Sequence, residues 1–217
     1  MTRSAKWTLV IAAVMAVVLG GFIVELRDAG SRNPDGTVAT ESTTDQARER
    51  RDADTAAALA EPRRRADLPP CPTGADEAGP EALRGVVLEC AADGTEVDVA
   101  AALAGRPAVL NLWAYWCGPC TDELPAMQEY QRRVGPAVTV LTVHQDENEE
   151  AALLRLADLG VRLPTVQDGR RQIASALRVP NVMPATVVLG SDGSVAKILP
   201  RAFTNADEIE AAVGELQ

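Results

Sequence analysis

Aromatic residues are scarce in this chain: three tryptophans, two tyrosines and two phenylalanines make up 3% of its 217 residues. Apolar residues still reach 47%, so a packed core is available, built mostly from valine, leucine, isoleucine and alanine. Histidine occurs once, as His144, and cysteine four times, as Cys71, Cys90, Cys117 and Cys120. Structural zinc takes four nitrogen or sulfur ligands. Cys71, Cys90 and His144 form no second close pair to complement Cys117 and Cys120, so a zinc knuckle is unsupported and neither a metal nor a cofactor is expected. Positive charge is also lacking. The formal net charge is −10, and from Ala66 onward 22 acidic residues stand against 11 basic ones, which argues against nucleic acid as a partner. Lysine appears only at Lys6 and Lys197; that preference for arginine reads as genome composition rather than function.

One long stretch carries no charge at all. Trp7 to Val24 is 18 residues without Asp, Glu, Lys or Arg, about the length that crosses a bilayer core. Arg3 and Lys6 precede it, so residues 1–6 are expected in the cytoplasm, residues 7–25 as a transmembrane signal anchor, and the rest outside. A cleaved signal peptide competes with this reading, but its apolar region is ordinarily shorter and no convincing A-x-A site follows Val24. No cysteine follows closely either, which leaves a lipoprotein anchor unsupported. Residues 26–70 read as a flexible linker with few large apolar residues. Within it, Gln46 to Leu59 has a helix-compatible composition but is taken as solvated spacer, and Arg63-Arg64-Arg65 could touch anionic headgroups. The globular domain is expected over residues 71–217.

Within that domain the stretch Leu110 to Cys120 organises the rest. An apolar run with strand-forming residues ends in two cysteines two residues apart, and a helix-compatible segment follows from Thr121. Cys117 then sits where a strand hands over to a helix N-terminus. Unpaired N–H groups and the positive end of the helix dipole favour an anion there, so its thiol should ionise more readily than a free one. Cys120, one turn further in, is placed to displace a partner from a mixed disulfide at Cys117.

Trp116-Cys117-Gly118-Pro119-Cys120 matches the thioredoxin active-site motif. The wider run from Asn111 through Glu123 and Pro125 to Met127 resembles the membrane-tethered, extracytoplasmic TlpA/ResA-like branch, and the resemblance covers roughly Val86 to Gln217. It implies an α/β thioredoxin fold with a TlpA-like insertion. The chain in order agrees: strands at 86–88, 108–113, 138–143, 165–166, 186–189 and 195–199; helices at 97–103, after Cys120, at 146–159 and 171–177, and from Asn205, with Asn205 as N-cap and Glu208 as its capping-box partner. The order is β-α-β, an α-β-α insertion, then β-β-α, with helices alternating with strands where the sheet is parallel.

The resemblance also assigns roles. Cys117 is the attacking thiolate and Cys120 the resolving thiol. Trp116, Gly118, Pro119, Met183 and Pro184 form the client-binding surface, with Pro184 as the cis-proline facing the cysteines; a purely structural role for Trp116 and an ordinary trans-proline at a strand start are the plain alternatives. Relatives often have threonine where this chain has Met183, which leaves client choice and redox potential open. Glu123 would assist proton transfer for the buried cysteine, or else serve only as a first-turn helix acid. Asn111 occupies the place where thioredoxins keep a buried aspartate and cannot do that acid–base work. His144, at a strand end, reads as a satisfied polar residue rather than a ligand. Cys71 and Cys90 are expected to form a structural disulfide in an oxidising compartment, with a second redox pair as the alternative.

The expectation is therefore a membrane-anchored, extracytoplasmic thiol–disulfide oxidoreductase. Its partners would be exported proteins with thiols or disulfides and a membrane thiol protein supplying electrons. It would act as a reductant of the cytochrome c maturation type; an oxidase of the same fold or a copper or zinc metallochaperone are the rivals. Peroxidase chemistry is disfavoured because Ala114 stands three residues before Cys117, where threonine or serine would be needed.

Overall fold

The computed structural model describes residues 54–74 and 79–214. Its elements run α1 (Ala56–Ala66), β1 (Val87–Cys90), β2 (Glu96–Asp98), α2 (Val99–Ala102), β3 (Ala108–Trp113), α3 (Gly118–Val134), β4 (Thr139–His144), α4 (Glu149–Leu159), β5 (Thr165–Gln167), α5 (Gln172–Ala176), β6 (Ala185–Leu189), β7 (Val195–Leu199) and α6 (Ala206–Val213). Among the described residues the seven strands form one sheet in the order β2-β1-β5-β4-β3-β6-β7.

β3 lies inside that sheet with all six residues buried, which is why its sequence is an almost unbroken apolar run. It pairs parallel to β4, from Ala108 with Thr139 to Trp113 with His144, and antiparallel to β6, from Ala108 with Leu189 to Leu112 with Ala185. Side chains alternate across a strand, so β3 feeds two cores. Leu110 and Leu112 join Leu103 of the turn after α2 and Ile173 of α5 on one face. Val109 and Trp113 join Leu124 and Met127 of α3, Leu156 of α4 and Ile209 of α6 on the other. The α4–β5–α5 insertion places β5 parallel to β4 and antiparallel to β1, so the β1–β2 hairpin is joined to the main sheet through it.

The thioredoxin-like α/β architecture is as expected, with two local differences. A strand, β2, opens at Glu96 and pairs antiparallel with β1; the helix expected over 97–103 shrinks to α2, because Asp98 caps the Ala101 N–H at 3.1 Å. At α6, Asn205 accepts the Glu208 N–H at 2.9 Å as expected, but the Glu208 carboxylate reaches Thr204, one residue earlier, at N (3.1 Å) and Oγ1 (2.9 Å).

The linker expectation needs correction at its C-terminal end. Residues 55–67 are a capped, packed helix: Thr55 accepts the Ala58 N–H, and Leu59 and Ala66 are buried with Ala91 and Leu153. Alternating charge hid a narrow apolar stripe. Arg63 is largely withdrawn from solvent, and Arg65, though exposed, is paired. Arg63 Nη2 lies 2.5 Å from Glu89 and 2.9 Å from Glu149, and Arg65 lies 2.6 Å from Asp158. The expected cytoplasmic tail and transmembrane segment lie outside the described residues. No helix among the described residues is long and apolar enough to cross a membrane.

Candidate active site

Trp113 ends β3, and the chain turns through Ala114–Trp116 before α3 begins at Gly118. Cys117 is the N-cap residue of α3, with extended backbone, and its sulfur accepts the Cys120 N–H at 3.3 Å. Its own N–H donates to the Ala114 carbonyl at 3.0 Å, which closes the turn. Helix N-caps are the place where an anionic sulfur finds unpaired N–H groups and a favourable dipole. Cys117 and Cys120 are joined as a disulfide. Cys120 is 1% exposed and Cys117 5%, so an incoming sulfur meets Cys117 first. Gly118 and Pro119 are exposed, and Trp116, 58% exposed, stands beside them. Its indole N–H donates to Asp146 Oδ2 at 2.9 Å.

The Met183–Pro184 peptide bond is cis. Pro184 is buried and directly precedes β6, whose Ala185 pairs with Leu112; the register sets it beside the end of β3 that leads to Cys117. Met183 packs against the cluster that contains both cysteines. Val182, before it, is 40% exposed. Trp116 and Val182 thus leave apolar surface open near the disulfide.

Glu123 is the unusual group. It is 0% exposed, so a surface helix acid favoured only by the dipole is not what this residue is. Asn111 Nδ2 donates to its Oε2 at 2.8 Å and the Phe203 N–H to its Oε1 at 3.3 Å. Burial pushes its carboxyl up to about 7, against the lowering by those two hydrogen bonds. A carboxyl that titrates near neutrality can take up and return a proton at working pH. Asn111 Oδ1 is buried without a hydrogen-bond partner.

His144 is buried, and loss of hydration holds it below the ordinary histidine range. Nδ1 faces Gln167 Oε1 at 2.8 Å and Nε2 accepts the Tyr115 N–H at 3.4 Å. That is a satisfied neutral imidazole donating from Nδ1. Cys71 and Cys90 form the expected disulfide, between the segment ahead of β1 and its last residue. Asp146, Gln167 and the Phe203 N–H escaped the sequence reading, since nothing local in the sequence marks a residue that meets the site from a distant turn.

A family model described as Redoxin matches residues 72–213. The thiol-disulfide oxidoreductase ResA of Bacillus subtilis (strain 168) is 30% identical over 105 residues, 48% of this chain and 58% of that protein. A thioredoxin of Rhodospirillum rubrum is 38% identical over 64 residues, 29% of this chain and 58% of that protein. The chain therefore spans little more than half the length of these curated relatives. Among solved structures, a secreted Mycobacterium tuberculosis disulfide oxidoreductase homologous to E. coli DsbE superposes with a TM-score of 0.53 at 26% identity, covering 64% of this chain and 98% of that one. MTB dsbF superposes with a TM-score of 0.55 at 23% identity over 62% of this chain and 96% of that one, a likeness of fold.

Proposed function

The chain belongs to the Redoxin family, in its ResA/TlpA-like part, and from that premise we propose that it is an enzyme exchanging the Cys117–Cys120 dithiol and disulfide with those of client proteins. The observation that carries the reading is the placement of Cys117: helix N-cap, bonded to a more deeply buried Cys120, beside a cis Met183–Pro184.

In the reducing direction the Cys117 thiolate attacks one sulfur of a client disulfide. The Cys117–client bond forms, the client S–S bond breaks, and the second client sulfur leaves as a thiolate. Cys120, deprotonated, then attacks the Cys117 sulfur; the Cys117–Cys120 bond forms and the client's first sulfur leaves. Two electrons pass to the client, and its two thiolates take up protons. Glu123 is the group that accepts the Cys120 proton and returns it when the pair is re-reduced. The open surface at Trp116, Gly118, Pro119 and Val182 receives the client segment, which Met183 and Pro184 align.

We further propose that the domain is held at the outer face of the cell membrane by residues 7–25, and that it works as a reductant of exported proteins of the cytochrome c maturation type, re-reduced by a membrane thiol protein. The apolar run Trp7–Val24 with Arg3 and Lys6 before it supports the anchor. Gly118-Pro119 between the cysteines, which resembles the reducing thioredoxin end, supports the reducing direction. The test is an insulin reduction assay on the full-length chain in detergent, followed by a redox titration of the Cys117–Cys120 pair. Turnover with a potential near the thioredoxin end, about −270 mV, supports a reductant. A potential near about −120 mV would make it an oxidase, and inactivity with stoichiometric bound copper or zinc would make it a metal carrier.

A further inference from the structure

Between Asp168 and Asp192 the sequence holds no acidic residue, yet it holds Arg170, Arg171 and Arg178, in a chain whose net charge is −10. Asp168, the acid nearest in sequence, is buried and already engaged: its two oxygens accept the Gln172 and Ile173 N–H groups at 2.8 and 2.9 Å. Among the described residues neither Arg170 nor Arg171 forms an ion pair. Together with Ala174, Ser175, Val179 and Asn181 they line a pocket of about 250 Å³.

The pocket adjoins the client-binding surface through two links. Arg171 Nη1 donates to Asn181 Oδ1, and Asn181 directly precedes Val182, Met183 and the cis-proline. Arg171 Nε donates to Gln145 Oε1 at 3.3 Å, and the Gln145 N–H donates to the Trp113 carbonyl at 2.8 Å, at the end of β3 that leads to Cys117. A guanidinium has five N–H donors; these contacts use two of Arg171's, and Arg170, exposed at the rim, uses none. Of the acids on the neighbouring loop, Asp146 takes the Trp116 indole, and the exposed Glu147 lies against Gly169, next to Arg170, without forming an ion pair.

We propose that this pocket takes an aspartate or glutamate side chain of the client polypeptide and so selects acidic segments next to the disulfide being exchanged. Guanidinium matches a carboxylate in shape and charge better than any other common side-chain partner. Ala174 and Val179 offer apolar walls for the methylene stem. The inference rests on the oxidoreductase reading for the identity of the client, though the pocket itself can be tested apart from it.

The experiment measures exchange between the reduced full-length chain in detergent and matched disulfide-bearing peptides. One glutamate is walked residue by residue along each side of the cystine, and each peptide is paired with its glutamine counterpart. At the best position the glutamate peptide should react about tenfold faster at low salt, the size of one charge-assisted contact. That ratio should fall to about one in Arg170→Gln, invert in Arg170→Glu, and persist in Arg132→Gln, an exposed arginine in the last turn of α3, on the other face of the sheet. A ratio of one at every position in the wild-type chain, or one that Arg170→Gln and Arg170→Glu leave unchanged, overturns the proposal. Absence of exchange with all peptides would sink the oxidoreductase reading alone. Equilibrium binding of serine-for-cysteine peptides then decides the pocket, equal affinity for glutamate and glutamine peptides overturning it.

Discussion

Asn111 of β3 donates its side-chain N–H to Glu123 of α3 at 2.8 Å, and both residues are fully buried. The contact ties the central strand to the helix that carries the cysteines, and it places a near-neutral carboxyl one helical turn beyond Cys120. Phe203, in the connection between β7 and α6, closes the same carboxyl from the other side through its N–H.

A pH dependence follows from that burial. The folded protein holds the Glu123 proton up to about pH 7, whereas an unfolded chain releases it near 4.5. The group's contribution to stability is whole below the unfolded value and is lost as pH rises through about 7, amounting to about 3 kcal/mol across the interval. Glu123→Gln stays neutral throughout. Its urea midpoint should fall less than that of the wild type between about pH 5 and about pH 8, and should exceed the wild-type midpoint at the higher pH. The same variant should slow release of the client from the mixed disulfide by about a hundredfold. Identical pH slopes would show that Glu123 does not titrate there.

The two cysteines should fail in different ways. Cys117→Ser leaves no sulfur at the helix N-cap and should abolish turnover. Cys120→Ser keeps the attacking thiolate but not the displacing one, so mixed disulfides with clients should accumulate on non-reducing gels. Equal loss of activity without trapped species would contradict the assigned roles.

Arg63 holds α1 against the sheet and α4. Its side chain is 11% exposed, and it meets Glu149, whose side chain is 5% exposed and whose carboxyl burial pushes up to about 7. Arg63→Met keeps the alkyl packing but leaves that carboxylate unpaired. The cost should be about 3 kcal/mol above pH 7, where Glu149 is charged in the wild type, and less near pH 5, where it is neutral. Denaturant midpoints at the two pH values check this; midpoints equal to the wild type at both would mean that Arg63 acts only by packing.

The Cys71–Cys90 disulfide closes a loop with a sequence separation of 19. Replacing both cysteines by alanine should cost about 3 kcal/mol of chain entropy, read as a lower thermal midpoint. If the pair were instead a redox relay, the double variant would lose turnover at a temperature where it remains folded.

The active-site turn was legible because its information is local. An apolar strand, two cysteines two residues apart and a helix-compatible segment place Cys117 at an N-cap whatever the rest of the chain does. Spacing likewise set β3 and β7 at the residues expected for them, and the alternating helices and strands set the order of the fold. The strand at Glu96–Asp98 was not legible, since those residues are extended only because β1 lies beside them. Nor was α1, whose apolar stripe is narrow and becomes stabilising only against Leu153 of α4.

The sequence by itself determined that two sulfurs stand at a strand-to-helix junction and that the chain as a whole carries net negative charge. Only the tertiary structure decided what surrounds that junction. The Phe203 N–H reaches Glu123 across 80 residues of chain, Met183–Pro184 arrives beside β3 through an antiparallel register, and Arg171 meets Asn181 and Gln145 at the pocket rim. Helix and strand periods record which face is apolar, but burial of a carboxyl and convergence of distant loops depend on register between elements, which no local pattern carries.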